Sequence, residues 1–191
     1  MIAAQTTLTM GVSGADKVTD RVAMLRIGHA VVALIRVRTL RGRSAKGDPF
    51  KPYSTRRIWI PLNKGAGARL APKGGKLSRT RKSMRYDGGW AEYKQRSAMQ
   101  GQLPQGGAAS GPTAAVNLTL SGQMLRSIRP AQADDRSVVV QVGDGAADYA
   151  EGVQQARPFM GVAPDEMPKL QRIAEAAVAD WLRRAGVKVS Q

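Results

Sequence analysis

The 191-residue sequence has no cysteine, one histidine, few aromatic residues (5%) and only 14 acidic side chains. Each scarcity excludes something. Without cysteine there are no disulfides, thiolate zinc sites or cysteine nucleophiles. With His29 alone, little imidazole chemistry remains for metal binding or proton transfer. The longest apolar run, Ala30 to Ile35, is six residues long and stops at Arg36, whereas a bilayer span needs about 20. No membrane-spanning helix is expected. The start Met1-Ile2-Ala3-Ala4 lacks the basic region and long apolar stretch of a secretory signal, so action in the compartment of synthesis is the expectation.

Positive charge is what the chain has in excess. Its 30 Lys+Arg give a net charge of +16 and a pI near 11.1. Residues 1–100 hold 21 basic and 5 acidic side chains, while residues 101–191 hold 9 of each. Residues 36–96 alone hold 18 basic and 3 acidic. Self-repulsion on this scale disfavours compaction unless the segment faces counter-charge, which implies a polyanionic neighbour, most commonly phosphate. A solubilising surface or a disordered basic arm is the competing reading. The segment shows no zinc-finger spacing, aromatic ribonucleoprotein motif or recognition-helix unit, so any nucleic-acid contact is expected to ignore base sequence.

The 42% of hydrophobic residues supply a core for a single domain, 1–191, and 21 glycines with 10 prolines predict much irregular chain around it. Residues 1–12 have no period and read as a flexible arm. Ser13 and Asp16 form an S-x-x-D helix start. Val18, Val22, Leu25 and Val32, with the adjoining stripe Met24, Ile27, Val31, Leu34 and Ile35, predict a helix from about Ala15 to Arg41. Its apolar face is broad enough to serve both its own domain and a neighbouring subunit. Arg36, Arg38, Arg41 and Arg43 complement the negative helix end, which fits better than a membrane-surface helix.

Residues 42–53 read as a turn-rich connector, with Phe50 and Tyr53 docking on the core. Residues 57–60 have strand composition, and Pro61 restricts them to an edge or a strand end. Residues 62–89, with six glycines and a dense set of lysines and arginines, read as a long basic loop. Residues 101–112 read as a second loop, rich in Gly, Ala and Gln. Alternation over Val116–Leu120 predicts a strand. A short helix follows over Ser121–Ile128, with Met124, Leu125 and Ile128 inward. Ser137–Gly143 is the strongest strand signal, and Ala147–Gln155 a further short helix. Pro164, Asp165 and Glu166 open a last helix with apolar Leu170, Ile173, Ala174, Ala177, Val178, Trp181 and Leu182, ended by Arg183, Arg184 and Gly186. This order predicts an α+β fold: a small, mainly antiparallel sheet packed by a long N-terminal and a C-terminal helix, with a basic excursion.

Candidate chemistry is sparse. Gly143-Asp144-Gly145 follows a strand like a dinucleotide loop, but Asp148 stands where the third glycine belongs and would repel a pyrophosphate. Asp144, Asp148 and Glu151 lack the calcium-loop pattern, and Asp134-Asp135 reads as a turn. His29 is expected to pack inside the first helix. No enzymatic activity and no cofactor are expected.

Several segments occur in a telling order: Gly47-Asp48-Pro49-Phe50-Lys51-Pro52-Tyr53-Ser54, Trp90-Ala91-Glu92-Tyr93-Lys94, Leu118 through Ile128, Tyr149-Ala150-Glu151-Gly152-Val153-Gln154, and Ala156-Arg157-Pro158-Phe159-Met160-Gly161-Val162. With the flanking helices, they resemble the tail-completion, or virion morphogenesis, family of tailed bacteriophages, including the Mu-like phages, across residues 15–185. The resemblance implies a non-enzymatic protein of the virion neck or top of the tail, made in the host cytoplasm. It would form a homo-oligomeric ring of sixfold or twelvefold symmetry, joining portal or connector to tail proteins around the path of the genomic DNA. Leu120, Ser121 and Gly122, with Arg157, Pro158 and Phe159, match the family's signature and carry a structural role within it. The sequence departs from the family by inserting residues 55–89 between the Pro-Tyr-Ser turn and the Trp-Ala-Glu-Tyr-Lys segment. Within that insertion Arg69, Lys73, Lys76, Arg79, Arg81, Lys82 and Arg85 are the expected contacts with DNA or with an acidic neighbouring ring. The alternative is a free, sequence-independent nucleic-acid-binding protein of ribosomal or chromosomal type.

Overall fold

The computed structural model describes residues 7–11, 20–61, 75–79, 82–99, 118 and 123–186. They form an α+β fold with helices near both ends of the chain and two small antiparallel sheets. The chain divides into two compact units, one of Met1–Thr39, Arg43–Asp48 and Met124–Gln191 and another of Leu40–Gly42 and Pro49–Gln123.

In the first unit, β1 (Thr7–Gly11), β6 (Ser137–Gln141) and β5 (Arg129–Ala133) form a sheet in the order β1-β6-β5. The expectation of a flexible arm over residues 1–12 is corrected for 7–11, which pair antiparallel with β6, Thr9 opposite Val139. A strand that finds its partner some 130 positions away leaves no local signal. In central β6, Val138 and Val140 are fully buried, as its period-two pattern requires. On the edge, β5 tolerates Pro130 and a register shift before Gln132. Asp134 closes the β5–β6 turn by accepting the Arg136 and Ser137 amides at 2.7 and 2.5 Å.

Helix α1 (Arg21–Leu40) starts at Asp20, whose Oδ1 accepts the Ala23 amide at 2.7 Å. The expected start at Ser13 lies outside the described residues. Ala23, Met24, Ile27, Val31 and Ile35 form the buried stripe. Gly28 belongs to it for a steric reason: a Cβ there would sit 2.7 Å from Val138 Cγ2 and 3.2 Å from Pro130 Cγ. Glycine therefore lets the helix backbone close onto β5 and β6. His29, expected to pack inward, instead faces solvent on the opposite side of the helix. Short helix α3 (Gln123–Ser127) buries Met124 and Leu125, and Ile128 follows them inward. Helix α4 (Ala147–Ala156) precedes the turn around buried Phe159, and a 3-10 turn, Pro164–Glu166, leads into α5 (Met167–Arg184). Leu170 and Ala177 are the buried anchors of α5. Each fully buried aliphatic or aromatic side chain contributes about 1.5–3 kcal/mol. An exposed, solvent-screened ion pair such as Arg26–Asp180 adds little beside this, so apolar packing holds this unit together.

In the second unit, β2 (Ile58–Pro61), β4 (Ser83–Tyr86) and β3 (Lys76–Leu77) form the other sheet, in the order β2-β4-β3, with α2 (Gly89–Met99) following. This corrects the reading of residues 62–89 as one loop, because the stretch from Lys76 to Tyr86 contains two paired strands. Strand β4 turns Met84 and Tyr86 inward, where they pack with Ile58, Ile60 and Tyr93. Lys76 and Arg85 stand on the outward face, so the two strands pass for part of a charge run. Tyr93 meets Tyr86 and Trp90 edge to face at 5.3 and 5.4 Å. Gly89 opens α2 at φ +64, where a Cβ would lie 2.3 Å from the Arg56 carbonyl oxygen. Phe50 is buried as expected. At Leu118 the backbone has φ +53, which is not the extended conformation expected there. The rest of the expected 116–120 strand and the 101–112 loop lie outside the described residues.

Candidate nucleic-acid interface

The β2-β4-β3 sheet has an apolar face, covered by Tyr93, and an outward face built from alternate residues of the same strands. Register places Trp59 opposite Arg85, and Arg85 opposite Lys76, so the three make one row across the outward face. The Arg85 guanidinium lies over the Trp59 ring, 5.8 Å from its centroid. Half of the Trp59 side chain remains exposed, at 51%.

Asp87, just beyond β4, gathers the cations of this face. Its Oδ1 is 2.9 Å from Arg57 Nε, and its Oδ2 is 3.5 Å from Lys76 Nζ. Arg85 Nη2 donates to Oδ2 at 3.3 Å, while its Nε, 3.1 Å from Oδ1, pairs by charge without hydrogen-bond alignment. Partial desolvation pushes the Asp87 carboxyl up, and the charges and hydrogen bonds of Arg85, Lys76 and Arg57 together outweigh it, holding the group below its ordinary value. Three cations share one carboxylate, so the row keeps surplus positive charge. The β3–β4 connection is closed by the Ser78 amide donating to the Ser83 carbonyl at 2.9 Å, and it carries Arg79 and Lys82, both exposed.

Of the seven expected contact residues, Lys76, Arg79, Lys82 and Arg85 thus belong to one hairpin, and Arg69, Lys73 and Arg81 lie outside the described residues. Sequence reasoning missed Arg57, Trp59 and Asp87. The alternation of Ile58 and Ile60 with Trp59 was the available signal that the tryptophan faces away from the core.

Other basic residues of the charged segment turn inward. Arg36 donates to the carbonyls of Leu125, Arg126 and Ile128 at 2.8–2.9 Å and so caps the end of α3. Arg38 is buried, pairs with Glu166 and donates to the Phe159 and Gly161 carbonyls at 2.7 and 2.9 Å. Around the same turn, Gln154 Oε1 accepts the Phe159 and Met160 amides, and the Pro158 carbonyl accepts the Ala45 amide. The segment Arg157-Pro158-Phe159 is therefore a structural hub. Leu120, Ser121 and Gly122 lie outside the described residues. In the second unit Lys94 stands over the Tyr53 ring at 5.4 Å, and burial brings its ammonium down to about 8.

Comparison with known proteins yields no match: no family model, curated protein or solved structure is similar to this chain. Among the described residues, no group of three His, Asp or Glu is arranged to hold a metal ion, and no helix is long and apolar enough to cross a membrane.

Proposed function

We propose that this chain is a structural protein of the tailed-phage neck that joins portal to tail, with the outward face of its basic sheet turned toward the DNA path. The observation that carries the reading is the cationic row Lys76-Arg85-Trp59, extended by Arg57, Arg79 and Lys82, in a unit whose only carboxylates are Asp87 and Glu92. Both carboxylates are already engaged, Asp87 by three cations and Glu92 by Arg96 and the Gly88 amide. The surplus charge has no counterpart within that unit's span. Such a surface holds phosphates by counterion release and reads no bases, which suits a genome that slides past it. The ring, its symmetry and its place in the virion come from the resemblance. The hub around Phe159 is consistent with it, because the matching segment organises the approach to α5.

The test is to neutralise Arg69, Lys73, Lys76, Arg79, Arg81, Lys82 and Arg85 together and image the resulting particles. Filled heads separated from tails, or joined particles that have lost DNA, are expected. Joined, filled particles at normal yield would refute the proposal. The half-exposed Trp59 beside Arg85 favours one other reading, a free nucleic-acid-binding protein. That reading gains if the purified chain binds nucleic acid but never copurifies with particles.

A further inference from the structure

We propose that the outward face of the β2-β4-β3 sheet is a platform for unpaired nucleic acid, with Trp59 stacking on a base and Arg57 and Lys76 holding the neighbouring phosphates. The proposal rests on the second of the two readings above, a free nucleic-acid-binding protein, since duplex DNA sliding through a neck offers this ring no unstacked base, and it names the form of nucleic acid.

The argument starts from Trp59. An indole on the outward face, beside Arg57, Arg85 and Lys76, loses the burial it would have on the other face, where Ile58 and Ile60 pack. Cations alone would suffice to grip a duplex backbone, whose bases are already stacked on each other. An acidic peptide would also need only the cations. A ring flanked by positive charge matches a different ligand, a strand whose bases are free to stack while its phosphates meet lysine and arginine. The charges are complementary, since Arg57, Lys76 and Arg85 have only Asp87 between them.

The geometry also prepares the ring. Arg85 covers part of it, 5.8 Å from the centroid, and is itself tied to Asp87, so the indole is held in place before any ligand arrives. What remains exposed is available to a base. Arg57 lies two residues before Trp59 along β2, and Lys76 lies beyond Arg85 in the same cross-strand row as Trp59. Exposed Arg79 and Lys82 extend the positive surface along the hairpin.

The experiment uses the purified full-length chain with fluorescein-labelled oligothymidylate and a mixed-sequence duplex of equal length, read by anisotropy at two salt concentrations. Trp59→Ala is expected to weaken binding to oligothymidylate about five- to a hundredfold and to leave duplex binding nearly unchanged. Trp59→Phe should restore most of the loss. The double variant Arg57→Gln/Lys76→Gln should weaken both probes and flatten the salt dependence. If Trp59→Ala binds oligothymidylate as tightly as the wild type, the stacking platform is refuted while the nucleic-acid reading survives. Equal losses on both probes refute the platform too. If the wild-type chain binds neither probe, the nucleic-acid reading itself falls, and an acidic protein becomes the partner of this face. Trp59 lies outside the core, so circular dichroism of each variant should match the wild type.

Discussion

Replacing Arg38 by methionine should destabilise the first unit more than any other charge removal. The side chain is 3% exposed, and its guanidinium serves a carboxylate, Glu166, and two carbonyls, those of Phe159 and Gly161. Methionine preserves much of the aliphatic packing but leaves the Glu166 carboxylate, itself 14% exposed, without its counter-ion, and both carbonyls without a donor. Breaking a buried pair from one side costs about 3–5 kcal/mol. Against a total stability of about 5–15 kcal/mol for a domain, that is a large fraction. It corresponds to a fall in Tm of about 6–20 °C for a protein of this size. Arg38→Lys retains the charge but not the planar fork, so it should recover only part of the loss. In Glu166→Gln the side-chain oxygen can still accept the Ala163 amide, now made at 2.9 Å, while the guanidinium is left unpaired. The double variant Arg38→Met/Glu166→Gln should lose less than the sum of the two single variants, because neither charge is then stranded. Urea unfolding followed by circular dichroism, with hydrogen exchange to assign the loss to the first unit, measures all four. An Arg38→Met variant within about 0.5 kcal/mol of the wild type would refute the reasoning, since surface substitutions fall in that range.

Two glycines should respond oppositely to alanine. At Gly89 the positive φ and the carbonyl oxygens of Arg56 and Ser54, 2.3 and 2.5 Å from where a Cβ would stand, predict a loss of about 3 kcal/mol or more in the second unit. At Gly152, inside α4 with nothing within 4 Å, alanine should add about 0.5–1 kcal/mol, and thermal melts of both variants check the pair. Lys94 carries a pH signature. Burial lowers its folded-state value to about 8 from 10.5, so below pH 8 its charge opposes folding, and that penalty fades as pH rises toward 10.5, where the unfolded chain also loses the proton. Lys94→Met should therefore stabilise the protein near pH 7 and confer little near pH 10, compared by urea midpoints; a pH-independent difference would contradict the sign.

The elements legible in the sequence were those whose periodicity repeats. Helices α1 and α5 span five turns or so and strand β6 alternates strictly, so their buried faces could be read directly. Three local features escaped. Strand β1 depends on a partner far along the chain, and β3 and β4 hide their alternation under lysine and arginine. The cap of α1 falls on Asp20, a late choice among several polar residues. His29 faces solvent because it falls on the side of α1 opposite the stripe Met24, Ile27, Val31 and Ile35, while its neighbour Gly28 lies within that stripe. At the candidate interface the basic residues were visible as a density of charge. Arg57, Trp59 and Asp87 were not, because their grouping depends on strand register.

The positive charge of residues 36–96 therefore divides into two physically different populations. Arg36, Arg38 and Arg43 are spent inside the first unit, on the α3 carbonyls, on Glu166 with the Phe159 turn, and on Asp165 with the Gly47 carbonyl. Two carboxylates of the C-terminal half, Glu166 and Asp165, thereby serve as counter-ions to arginines at and just beyond the end of α1. The span of the second unit, in contrast, holds 14 Lys+Arg against Asp87 and Glu92 alone. With both carboxylates already engaged, the span keeps an excess of positive charge that no carboxylate of its own balances. Apolar burial around Tyr86 and Tyr93 stabilises the unit against that repulsion, and screening at physiological ionic strength shortens the repulsion to about 8 Å. Neither removes it. A polyanion laid along the outward face lowers the electrostatic energy of the folded unit and gains binding free energy from the same charges, so folding of this sheet and occupation of its face are thermodynamically linked.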